Sequence, residues 1–127
     1  MIYKDIDDRG IKVILKEDNI IISECKISLS NGIWSITEWF TTKFYMNQGY
    51  GKQTMKEAVN SLYEAFGMPE QIRYNWNGVN EYVYLWLKKH FNAVPLHPPI
   101  IDSECDSWED HIYILDKIKF INYFKTE

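Results

Sequence analysis

Met46-Asn47-Gln48-Gly49-Tyr50-Gly51-Lys52, entered from the apolar run Trp34–Thr42 and followed by a helix-patterned segment, is the stretch around which this 127-residue chain is organised. A strand that runs through a glycine turn into a helix gathers several backbone N–H groups around one point. The first four amides of a helix have no intrahelical acceptor, and the helix dipole adds an attraction for negative charge. Two familiar phosphate loops do not fit. A GxxxxGK[ST] loop needs Ser or Thr where Gln53 stands and glycine where Met46 stands, and a GxGxxG fingerprint needs glycine at Thr54. What remains is a GxG at a helix start beside Lys52. It either holds a diphosphate by backbone amides or only permits a tight turn.

Upstream, Ile20–Ser30 and Ile33–Thr41 flank Asn31-Gly32, the strongest short hairpin signal because both turn positions need positive φ. A two-residue loop pairs Ser30 with Ile33, Leu29 with Trp34, Ile27 with Ile36, Cys25 with Glu38 and Ser23 with Phe40. One face then carries Cys25, Ile27, Leu29, Trp34, Ile36 and Phe40, with Glu38 its single acid. Before the hairpin, Asp7-Asp8-Arg9-Gly10 and Asp18-Asn19 are turns around a short strand, Gly10–Glu17. Downstream, Met55, Val59, Leu62 and Phe66 repeat at helical spacing, predicting a helix over 52–66 with Gly67 as C-cap and Pro69 beyond it. Gln71–Trp76 alternates and predicts a strand parallel to 33–41, completing a right-handed βαβ unit. A second helix is expected at about 79–91, capped by Asn77, with Val79, Val83, Trp86 and either Leu87 or His90 inward.

The tail reads as a proline-bearing loop or edge (Val94–Ile101), a solvated acidic loop (Ser103–Asp110), and strands His111–Leu115 and Ile118–Phe124 joined as a hairpin through Asp116-Lys117. The fold class is α+β (α/β), a single domain over 1–127 with a mixed, mostly antiparallel sheet around the βαβ unit.

Composition narrows the function. Apolar residues are 46% and aromatics 16%, so the chain folds around a real core. A net charge of −4 without a Lys/Arg run argues against a nucleic-acid surface. The two cysteines are far apart and the three histidines do not cluster, so no metal site is expected. No run approaches a membrane span, and Met1–Asp8 is acidic where a signal peptide would be apolar. A cytoplasmic protein, monomeric or homodimeric, is the expectation.

The segment 36–55 resembles the acetyl-CoA-binding motif (Q/R)xxGx(G/A) of the GCN5-related N-acetyltransferases, with Met46 where the family has Gln or Arg. The resemblance extends over residues 10–92. Tyr84-Leu85-Trp86-Leu87-Lys88-Lys89-His90-Phe91 is similar to the end of that family's next helix, and Gly10–Ser30 leaves no room for the helical segment usual between its first two strands. The resemblance implies acetyl-CoA as cofactor, its diphosphate held by amides of Gln48, Gly49, Tyr50, Gly51 and Lys52. It implies further contacts from Asn77 or Asn80, and oxyanion-stabilising amides from the Phe40–Thr42 region. It also implies transfer of the acetyl group to an acceptor amine, a small molecule or a protein lysine, by direct attack.

That chemistry needs a base for the amine proton and an acid for the thiolate. Glu38 is the candidate base, since desolvation on an apolar strand face would poise a carboxylate to accept a proton; an edge glutamate reaching water is the alternative. Tyr84 is the candidate acid, standing near the family's tyrosine position, which falls on Trp86 or Leu87. The alternative for the whole chain is a catalytically weak or inactive binding protein on the same fold.

Overall fold

In the computed structural model, which describes residues 1–75, 81–96 and 112–125, two-residue turns build the first half of the sheet. Strands β1 (Ile2–Asp7), β2 (Gly10–Glu17), β3 (Ile20–Ser30) and β4 (Ile33–Thr41) form an antiparallel meander without an intervening helix. The turns Asp18-Asn19 and Asn31-Gly32 have both residues at positive φ, between 51° and 79°, which matches the twist of the strands they join. β1 goes beyond the expected elements: it is an outer strand, largely exposed, and its alternation of Ile2, Lys4 and Ile6 is interrupted by charge.

After one 3-10 turn (Lys43–Tyr45) the chain enters helix α1 (Tyr50–Phe66), then β5 (Ile72–Tyr74), α2 (Glu81–Phe91), β6 (Val94–Pro95), β7 (Tyr113–Leu115) and α3 (Lys117–Phe124). The sheet order is β1-β2-β3-β4-β5-β7-β6, and the β4–β5 pair is its parallel one. The expected class is therefore observed: a mixed, mostly antiparallel sheet around a β–α–β unit. α1 begins two residues before its expected start, and β5 is shorter than 71–76.

The main core lies on one side of the sheet. Ile11, Val13, Cys25, Ile27, Trp34 and Ile36 face Met55, Ala58, Val59 and Leu62 of α1, and nearly all are fully buried. Phe66, the last residue of the predicted stripe, lies at the rim and packs its ring on Trp34 at 4.8 Å. Buried Leu87 and Phe91 of α2 and Phe120, Ile121 and Phe124 of α3 extend the same core.

The hairpin register holds from Ser30↔Ile33 to Ile27↔Ile36 and then shifts, because Thr37 is an extra residue in β4. Beyond it Glu38 pairs with Lys26, Trp39 with Cys25, Phe40 with Glu24 and Thr41 with Ser23. The expected pairs Cys25–Glu38 and Ser23–Phe40 are thus displaced by one residue, which turns Glu38 and Phe40 off the core face and Trp39 onto it. The energetic reason is direct. Strict alternation would bury a carboxylate and expose an indole, and a bulge reverses both. The extra residue is satisfied locally, with the Thr37 hydroxyl 3.1 Å from that of Ser28.

The second correction concerns Ile118–Phe124, which is helix and not the second strand of a hairpin. Its buried residues, Phe120, Ile121 and Phe124, have helical spacing, and Asp116 caps the first turn by accepting from the N–H groups of Ile118 and Lys119, both at 3.1 Å. Asp116→Ala should destabilise the fold by about 1 kcal/mol in urea titrations, the usual worth of an N-cap. An unchanged midpoint would show that the cap contributes nothing to α3.

Candidate active site at the start of the central helix

The glycine turn is built by two left-handed residues, Asn47 (φ 62°) and Gly49 (φ 85°), which swing the chain from the 3-10 turn into α1. Asparagine and glycine are the residues that accept this conformation at least cost. Gly51 is needed for a different reason. A Cβ there would stand 3.0 Å from the Thr41 hydroxyl and 3.6 Å from Trp39 Nε1, so its absence lets α1 dock closely on β4.

Three hydroxyls and one indole hold that contact. Ser23 Oγ lies 2.9 Å from Thr54 Oγ1 and 3.2 Å from Thr41 Oγ1, Thr54 donates to the Gly51 carbonyl at 3.0 Å, and Trp39 Nε1 donates to the same carbonyl at 2.9 Å. The sequence reading missed these residues. Their signal was the pair of small polar side chains, Ser23 and Thr54, inside otherwise apolar segments, where an unpartnered hydroxyl is costly.

The consequence is a set of fixed, outward amides. Gln53 is the first residue of the turn to donate within the helix, to the Gly49 carbonyl at 3.0 Å. Among the described residues the N–H groups of Gln48, Gly49, Tyr50, Gly51 and Lys52 meet no protein acceptor. The Gln48 side chain folds back onto the Phe44 carbonyl at 3.4 Å, and the Lys52 ammonium lies over the Tyr123 ring, 4.9 Å from its centroid. Five amides at the positive end of a 17-residue helix, without a capping side chain, suit a diphosphate.

Beside this turn the described β4–β5 ladder ends. It covers Trp34–Ile36 against Ile72–Tyr74 and closes with the Asn75 N–H on the Ile36 carbonyl at 2.9 Å. β4 runs on through Thr41 with no β5 partner among the described residues. Of the Phe40–Thr42 region expected to supply oxyanion donors, Phe40 and Thr42 do not turn their amides to this gap. The Thr42 N–H donates to the Ile22 carbonyl at 2.7 Å, and alternation along the strand turns the Phe40 N–H the same way, toward β3. The bulge at Thr37 has changed the parity, so Trp39 and Thr41 turn their amides to the gap.

Glu38 and Tyr84 lie on opposite sides of the sheet. Glu38 is half-buried on the face away from the helices, opposite Lys26, while Tyr84 sits on the helix side with its ring 5.1 Å from that of buried Tyr113. Trp39 fills the helix side of the gap, 6.1 Å from both Trp86 and Phe124. Burial pushes up the Cys25 thiol, with the Glu24 carboxylate adding to the effect, and burial likewise pushes up the Tyr74 hydroxyl. Both stay neutral and neither serves as an acid or base at ordinary pH. Asn77, Asn80, His97, Cys105, His111 and the acidic loop lie outside the described residues. Among the described residues no group of three or more His, Cys, Asp or Glu side chains is placed to hold a metal ion.

No family model matches this sequence, and no curated protein matches it. Solved structures do. The chain is similar to the ribosomal-protein-S18-alanine N-acetyltransferase of Escherichia coli (14% identity, TM-score 0.58, 87% of this chain and 70% of that one). It is similar to a GNAT family acetyltransferase from Elizabethkingia anophelis with acetyl-CoA bound (18%, 0.54, 84% and 74%). It is also similar to BjaI, a CoA-dependent acyl-homoserine lactone synthase solved with isopentyl-CoA (11%, 0.62, 93% and 64%). The chain spans roughly two thirds of the length of these proteins. At this identity the likeness is one of architecture: the chain has the fold of the GCN5-related N-acetyltransferases.

Proposed function

We propose that this protein is an acetyl-CoA-dependent N-acetyltransferase that moves the acetyl group to an acceptor amine by direct attack. The observation that carries this reading is the set of amides from Gln48 to Lys52 that meet no acceptor among the described residues, beside the end of the described β4–β5 ladder. Those amides would hold the cofactor's diphosphate, and acetyl-CoA, when bound, supplies the activated acyl group and a thiolate leaving group. The amides of Trp39 and Thr41, turned to the gap, are the donors available to a developing oxyanion. Glu38 on one side of the gap would accept the amine's proton, and Tyr84 on the other would supply one to the departing sulfur.

A second reading is a CoA-binding protein with little or no turnover, favoured by Met46, which is exposed where the motif has Gln or Arg. Release of CoA thiol with equimolar acetylated amine, followed across a panel of small amines and a lysine peptide, separates the two. Turnover with any acceptor supports the transferase. Saturable acetyl-CoA binding with no turnover across the panel would overturn it in favour of the second reading.

A further inference from the structure

The sheet has one face that no described helix covers, and its charge is organised. Asp5, Lys12, Lys26 and Glu38 are consecutive cross-strand neighbours from β1 to β4, a transverse row that ends at the rim of the β4–β5 gap. Asp5, Lys12 and Lys26 of that row line an open cavity of about 430 Å³, with Asp7, Arg9 and Ser28 also on its walls. This is within the size range of small-molecule sites.

Charges of both signs line the cavity without neutralising one another. Lys12 is committed to Glu24 at 3.2 Å, and Asp7 accepts the backbone N–H groups of Arg9 and Gly10 at 2.8 and 3.1 Å. Asp5, Arg9 and Lys26 form no ion pair among the described residues. Such a lining is complementary to a ligand bearing both an ammonium and a carboxylate, and disfavours a purely cationic one, which would face Lys26 and Arg9 unpaired.

On the other side of the gap the Trp39 ring stands 6.1 Å from those of Trp86 and Phe124. On the uncovered face Glu38 stands one strand beyond Lys26, roughly 4.8 Å away. A ligand seated on Lys26 with a short amine-bearing arm therefore presents that amine to Glu38.

We infer that this cavity is the acceptor site, and that the acceptor is a small amine that also carries a carboxylate. The inference rests on the transferase reading for the word acceptor, and on the cavity alone for the ligand class. L-Ornithine and putrescine test it as a matched pair, because they differ by the carboxylate. In calorimetry on the full chain without cofactor, ornithine should bind at least tenfold more tightly than putrescine. Lys26→Glu, an exposed strand position, should lower ornithine affinity tenfold or more and leave acetyl-CoA binding unchanged. Asp5→Asn should weaken ornithine while leaving the thermal midpoint in place. Equal binding of the two probes, no binding of either at 10-millimolar-scale concentration, or an ornithine affinity indifferent to Lys26→Glu would overturn the ligand class. Ornithine bound by a protein that does not bind acetyl-CoA would overturn its role as acceptor and, separately, the transferase reading.

Discussion

Lys52→Glu should weaken acetyl-CoA binding by at least tenfold while leaving the protein about as stable as before. The substitution keeps the Lys52 amide and changes the charge by two at the third residue of α1. For stability two effects oppose. A carboxylate in a first turn gains about 0.3–1 kcal/mol from the helix dipole, and loss of the ammonium from the Tyr123 ring gives up about 0.5–1 kcal/mol. For binding they do not oppose. Both charge changes act against an anion held within one helical turn, and even at the dielectric of bulk water each costs roughly 1 kcal/mol at about 4 Å, so that together they exceed the 1.4 kcal/mol of a tenfold loss. The loss should shrink as salt rises, since these interactions are screened over about 10 Å at 0.1 M. A variant that melts as the parent does and binds acetyl-CoA equally well would place the diphosphate elsewhere.

The largest effect on stability is expected from Phe91→Ala. Phe91 is fully buried where α2 and α3 meet, with ring centroids of Trp86, Phe120 and Tyr123 at 5.2–5.4 Å, and its carbonyl accepts the Asp116 N–H at 2.7 Å. Truncating such a ring leaves a cavity and costs about 3–5 kcal/mol, a large part of the roughly 5–15 kcal/mol that holds a domain of this size. Urea unfolding should show the midpoint fall with the slope unchanged, and near-ultraviolet dichroism should weaken as Trp39 and Trp86 lose their fixed surroundings. A loss below about 1 kcal/mol would mean that α2 and α3 repack around the gap, and that the wall behind Trp39 is softer than described.

How much of this was legible in the residues depends on which physical rule was at work. Asn31-Gly32 fixed a hairpin because few dipeptides accept two positive φ angles, and Gly67 ended α1 for a related reason. The glycine turn was readable as a source of free amides because helix starts always leave them. Glu38 was misplaced because alternation carries no mark of an inserted residue; the one clue was Trp39, whose burial is worth more than that of a carboxylate and could only be had by a bulge. The same bulge turns the amides of Thr41, within the expected region, and Trp39, just outside it, toward the gap. Ile118–Phe124 was a short apolar run compatible with strand or helix, and the cap at Asp116 was the signal that decided between them. The charged row across the open face was not legible, since it depends on pairing across four strands.

The central claim is that backbone amides from Gln48 to Lys52 receive the cofactor's diphosphate. The most direct test is a titration of the 15N-labelled protein with acetyl-CoA, following each backbone amide. Gly49, Tyr50, Gly51 and Lys52 should shift together and saturate at one dissociation constant, before residues on the uncovered face respond. Amides that stay in place while acetyl-CoA binds, or a spectrum that does not respond at millimolar cofactor, would show that the diphosphate is not held at this turn.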